Sequence, residues 1–146
     1  DTALRHACRR ANLAAARSNP QVRQWGERER YVRLCGTGDG GLKRLDYILQ
    51  PRGAEFPTLV ECKSLGATGR PAADVRGIGR DVAKIRSALA PGGFRAGLVV
   101  VTGLGRPEGV FRDLVRAGAD GCDVKFRRVA LTSGGTAFLA FVIVGG

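Results

Sequence analysis

Several kinds of residue are scarce in this chain, and each scarcity removes a class of chemistry. Histidine occurs once, at His6, remote in sequence from the acids that matter below, so neither a two-histidine ribonuclease mechanism nor a zinc deaminase is supported. The four cysteines, Cys8, Cys35, Cys62 and Cys122, have no C-x-x-C spacing. That pattern argues against a zinc site or a disulfide frame and reads them as small buried hydrophobes in a reducing setting such as a cytoplasm. No run of eighteen apolar residues occurs, so nothing here is built to span a membrane. Aromatic residues are only 6% of the chain, and the isolated Trp25, Tyr31 and Tyr47 read as core more readily than as a base-stacking platform. Methionine is absent and the chain begins at Asp1, which predicts a piece cut from a longer protein whose upstream signals or partner domains are out of view.

What is present is apolar mass and positive charge. With 146 residues, 44% of them apolar, residues 1–146 fit a single domain with its own core. Lys and Arg number 24 against 13 Asp and Glu, a net charge of +11, and only four of the cations are Lys. Arginine is planar, permanently charged and able to fork two hydrogen bonds onto a phosphate, so this surface suits a polyanion. A GC-rich genome enriches Arg as well, and composition alone does not separate the two explanations.

Periodicity sets the order of elements. Leu4, Ala7, Cys8 and Ala11 form the apolar stripe of a helix over residues 2–18, ended by Asn19-Pro20. Glu29 to Cys35 alternates as a first strand and runs into a glycine-rich loop. Two hairpin strands follow, Arg44 to Leu49 and Thr58 to Lys63, and then a link from Gly66 to Pro71. Val75, Ile78, Val82, Ile85 and Leu89 make the apolar seam of a second helix stopped by Pro91-Gly92-Gly93, with Arg76, Arg80 and Lys84 as a basic stripe on its flank. Gly97 to Thr102 has the unbroken apolar character of a central strand buried on both faces. A third helix opens at Pro107, turns Val110, Phe111, Leu114 and Val115 inward, and ends at Gly118. Two last strands, about Val124 to Leu131 and Thr136 to Val144, join through Ser133-Gly134-Gly135, with Arg127-Arg128 as an edge guard.

The hairpin carries the chemistry. If residues whose numbers sum to 107 pair across it, Ile48 meets Leu59, Asp46 meets Glu61 and Arg44 meets Lys63. Two like charges opposite one another on a sheet repel, which a divalent cation between them relieves. The plain alternative is that Glu61 and Lys63 form the wet face of an amphipathic strand. Five Glu and four Lys make a chance Glu-x-Lys uncommon, and an Asp in register lowers coincidence to about a few per cent. Phosphodiester cleavage needs a hard cation for the charge growing on a non-bridging oxygen, and carboxylates are the side chains Mg²⁺ prefers. An ammonium two residues along the same strand stands close enough to orient water or, with a depressed pKa, to accept its proton. Arg76, Arg80 and Lys84 would track a nucleic-acid backbone, or else form a solvated helix face.

Helix, three strands, helix, strand, with Asp46 in the second strand and Glu61-x-Lys63 in the third, resembles the PD-(D/E)xK phosphodiesterase superfamily over roughly Thr2 to Thr102. The resemblance implies an α/β fold: a restriction-endonuclease-like αβββαβ core with a mixed central sheet flanked by helices, here with a C-terminal αββ extension. It implies that Asp46, Glu61 and the backbone carbonyl of Cys62 bind Mg²⁺ or Mn²⁺ and that Lys63 orients or helps deprotonate the attacking water. The Cys62 side chain is expected on the opposite face. Leu45 stands where the superfamily name has Pro, and residues 2–18 lack the Glu that many members carry on the first helix; Glu29, Glu27 and Asp39 are the substitutes in reach. The expected function is a metal-dependent nuclease acting on DNA more readily than RNA, as the effector domain of a bacterial toxin or defence system. An immunity or regulatory protein and a second copy of the chain are the partners that such a setting implies. The alternative is a nucleic-acid-binding module that keeps the fold and does not cut.

Overall fold

The computed structural model describes residues 26–33, 42–49, 55–90 and 94–145. The helix expected over residues 2–18, with His6 and Cys8, lies outside the described residues, as do Trp25, Cys35, Asp39 and the Pro91-Gly92-Gly93 stop. Among the described residues six strands and two helices follow in the order β1 (Gly26–Arg33), β2 (Leu42–Leu49), β3 (Thr58–Leu65), α1 (Pro71–Leu89), β4 (Ala96–Gly103), α2 (Glu108–Gly118), β5 (Asp123–Ala130) and β6 (Thr136–Val144). The architecture is α/β with a mixed sheet, its strands ordered β1-β2-β3-β4-β6-β5. Only β3 and β4 run parallel, joined by α1 as a crossover, and the remaining neighbours are antiparallel.

The hairpin register is the expected one where the β2–β3 ladder forms: Tyr47 pairs with Val60, Ile48 with Leu59 and Leu49 with Thr58. Asp46 with Glu61, and Arg44 with Lys63, come next in that register but are not ladder partners. Instead the Cys62 N–H donates to Asp46 Oδ2 at 2.8 Å, so a side chain joins the strands where the ladder ends. The first strand starts three residues before the expected Glu29, because β1 pairs with β2 from Gly26 opposite Leu49 through Arg33 opposite Leu42.

Pro71, expected in the link, occupies the first turn of α1, where its missing N–H costs nothing; Asp74 in that turn and Arg86 in the last complement the helix dipole. The apolar seam behaves as expected. Ile78, Val82 and Ile85 are fully buried against Leu59, Leu65, Val99 and Val101 of the sheet and against Phe111 and Val115 of α2. Gly118 lets the helices close on one another, since a Cβ there would stand 2.6 Å from Ile78 Cβ. Val110 departs from expectation: it is exposed, because the buried arc of α2 is made by Phe111, Leu114, Val115 and Gly118. The central strand β4 is fully buried on its helix-covered face and half-buried on the other. β5 is the outer strand beyond β6, and Arg127 and Arg128 are exposed on it. No helix among the described residues is long and apolar enough to cross a membrane.

Arg106 locks the loop between β3 and α1. Its Nε donates to the Gly66 carbonyl at 2.6 Å and its Nη2 pairs with Asp74 Oδ2 at 2.5 Å, and the side chain is buried. The first turn of α1 is thereby tied to the end of the strand that carries Glu61 and Lys63.

Candidate functional site

Glu61 sits in the middle of β3, between Val60 and Cys62, on a strand whose flanking positions Leu59 and Leu65 belong to the core. Only 5% of it is exposed, and along with Arg106 it is one of two charged side chains buried among the described residues. Its Oε1 accepts no hydrogen bond of good geometry, yet the Lys84 ammonium of α1 lies against it as an ion pair. Burial pushes the Glu61 carboxyl up to about 7; the Lys84 pair opposes that rise, while the negative charges of Asp46 and Asp81 add to it. An acid held near neutrality inside a protein costs folding energy, so its presence at this depth asks for a functional reason.

Asp46, half-buried, is anchored to the neighbouring strand by its bond from the Cys62 N–H. That bond commits one carboxylate oxygen to the backbone and places the charge within electrostatic reach of Glu61. Lys63, two residues beyond Glu61, runs beneath α1: its Nζ stands 2.6 Å from the point where Gly77 would carry a Cβ. The three residues expected to act together therefore share one side of the sheet, roofed by α1.

The helix supplies two further charges. Asp81, half-buried, has a carboxyl raised by burial, with Lys63 and then Lys84 opposing the rise and Asp46 adding to it. Sequence reasoning misses Asp81, although its spacing carries a signal. Gly77, Asp81 and Lys84 are spaced by four and three, within about 60° of helical arc, and form one stripe beside the apolar seam. Grouping Lys84 with Arg76 and Arg80 by steps of four hid it. In the structure Arg76 and Arg80 are exposed along an open groove of about 500 Å³, whereas Lys84 turns away from them to Glu61.

Glu29 lies level with Asp46, since Arg28 pairs with Tyr47 and Arg30 with Leu45 on either side of it. The Cys62 side chain lies on the far side of the sheet, where Val60, Leu98, Val100 and Phe141 share with it a mostly apolar cavity of about 280 Å³. Tyr47 is buried, in keeping with a core aromatic.

Among the described residues no three His, Cys, Asp or Glu side chains stand close enough together to hold a metal ion. Mg²⁺ seldom needs such a cage: it takes one or two carboxylates, keeps several waters and binds substrate phosphates. Two carboxylates within electrostatic reach of each other, one with a buried oxygen that meets only an ammonium, fit that demand. Comparisons with protein-family models, with curated proteins and with solved structures returned no match.

Proposed function

We propose that this chain is a metal-dependent nuclease with a restriction-endonuclease-like core, hydrolysing phosphodiester bonds in DNA more readily than in RNA. The observation that carries the reading is the convergence of Asp46, Glu61 and Lys63 under α1, with Asp46 fixed to the backbone of the Glu61 strand by its bond from Cys62 N–H. The order β1, β2, β3, α1, β4 in a mixed sheet supports it too, being the order that the sequence resemblance implies after its first helix.

In this reading Asp46 and Glu61 hold Mg²⁺ or Mn²⁺, with the Cys62 carbonyl as a further oxygen donor. When bound, the ion neutralises charge on the scissile phosphate and acidifies the attacking water. Lys63 orients that water and takes up its proton when its ammonium has been deprotonated. Arg76 and Arg80 hold the backbone of the nucleic acid on the exposed side of α1. The setting that fits is the effector domain of a bacterial toxin or defence system, with an immunity or regulatory protein, or a second copy, as partner.

The Glu61–Lys84 ion pair favours a second reading: the cluster ties β3 to α1, and the chain binds nucleic acid without cutting it. Plasmid incubation with Mg²⁺, Mn²⁺ or EDTA, beside Asp46→Asn, separates the two. Asn keeps an oxygen to accept the Cys62 N–H and removes the charge. A nuclease nicks the plasmid in both metals, stops in EDTA and loses about two orders of magnitude or more in the variant. Binding without nicking under every condition selects the second reading.

A further inference from the structure

Lys63 ends where only a glycine leaves room. A Cβ on Gly77 would stand 2.6 Å from Lys63 Nζ and 2.7 Å from Cε, closer than real side chains approach, and the next atom in reach is Lys63 Cδ at 4.0 Å. A glycine needed for packing has different neighbours: at Gly118 the added Cβ would meet Ile78 and the Val75 backbone carbonyl. At Gly77 it would meet the mobile end of one lysine and nothing else within 4 Å. Gly77 is also buried in the interior of a 19-residue helix, where glycine is a much poorer helix former than alanine. Helix stability therefore favours a methyl group at this position, and only Lys63 is in its way.

The surroundings give the vacancy its purpose. Asp81 lies one turn further along the same stripe, and the Lys63 charge is the largest influence opposing the rise of its carboxyl. Lys84, at the end of the stripe, engages Glu61. Lys63, half-buried, thus ends against the Gly77 turn of α1 and within electrostatic reach of the Asp81 carboxylate. Free rotation of a four-carbon stem would otherwise spread the ammonium over several ångströms.

We propose that Gly77 is a positioning residue: the space left by its missing side chain is a socket that fixes the Lys63 ammonium under α1, on the side of the sheet that carries Glu61 and Asp46. The consequence for cleavage rests on the nuclease reading above; the socket itself rests on the packing of Lys63 against Gly77.

Gly77→Ala tests it, with Gly109→Ala as the control, since Gly109 on α2 has open space where a Cβ would stand. Three readouts are taken: the melting temperature, the rate at which an amine-acylating ester modifies Lys63 relative to the exposed Lys125, followed by mass spectrometry, and nicking of plasmid in Mg²⁺. Gly77→Ala melts at or above the wild-type temperature, its Lys63 acylates roughly fivefold faster or more, and turnover falls about tenfold or more while KM for DNA stays within about twofold. Gly109→Ala matches the wild type in acylation and nicking. Unchanged acylation of Lys63 in Gly77→Ala overturns the socket, as does a variant that fails to fold, because alanine would then be meeting more than a lysine tip. Faster acylation with wild-type nicking overturns the positioning role. If the wild type itself never nicks DNA, the nuclease reading fails while the acylation arm still decides whether the socket exists.

Discussion

Glu61 carries the largest electrostatic cost in the site. Its folded-state pKa of about 7 stands above the ordinary value of 4.5, chiefly through burial. Stabilisation by the neutral acid is therefore complete below pH 4.5 and is lost as pH rises through about 7, when the buried group must ionise. The upper bound on that loss is on the order of 3 kcal/mol. Urea melts of the metal-free protein between pH 5 and 8 should show stability falling with pH, and Glu61→Gln should flatten the curve. A wild-type curve rising with pH would contradict the assignment. Residue identities were the most legible part of the site: Asp46, Glu61 and Lys63 could be named from a pairing rule and a charge argument. Asp81 and Gly77 could not be named that way. Their meaning depends on which face of α1 lies over β3, and a helix pattern alone does not say which stretch of strand it covers.

Among the elements, the loop between β3 and α1 decides how the helix roof sits over the acids. Arg106, buried and bonded to the Gly66 carbonyl and Asp74, holds that junction from the β4–α2 loop. Replacing it by Ala leaves the Asp74 carboxylate without its partner, and a loss of about 2–4 kcal/mol is expected in denaturant unfolding. Arg112→Ala removes a partly exposed pair with Glu108 within α2 and the stacking of its guanidinium on the Phe126 ring, and should cost about 1 kcal/mol or less. Equal losses would show that Arg106 is no lock. Element identity is legible where the pattern is strong: the apolar seam of α1, the extents of the last two strands and the register of the hairpin agree with the structure. The failures were local. Val110 fits the apolar pattern of α2 yet falls one residue outside its buried arc, and β1 begins before its alternation does because strand ends follow from the partner strand.

For the molecule as a whole, the α/β class followed from the order of patterns along the chain, whereas the position of β6 between β4 and β5 did not. Antiparallel insertion of the last strand is set by which sheet edge is open once β3 and β4 have paired, a property of the assembled sheet. Net charge belongs to this scale as well. At +11 the protein attracts any polyanion, so affinity alone says little about function, and its salt dependence says more. Log–log plots of DNA affinity against salt should lose about two units of slope in the Arg76→Ala/Arg80→Ala double variant. An unchanged slope would place the nucleic acid elsewhere on the surface.

The central claim is that Asp46 and Glu61, from adjacent strands, grip one divalent ion. Titration of the wild type, Asp46→Asn and Glu61→Gln with Mn²⁺, followed by the electron paramagnetic resonance of the free ion, tests it without any appeal to cleavage. One saturable site in the wild type, lost or weakened about tenfold or more in both variants, is the predicted result. Manganese binding absent from the wild type, or equally tight in all three proteins, would contradict it.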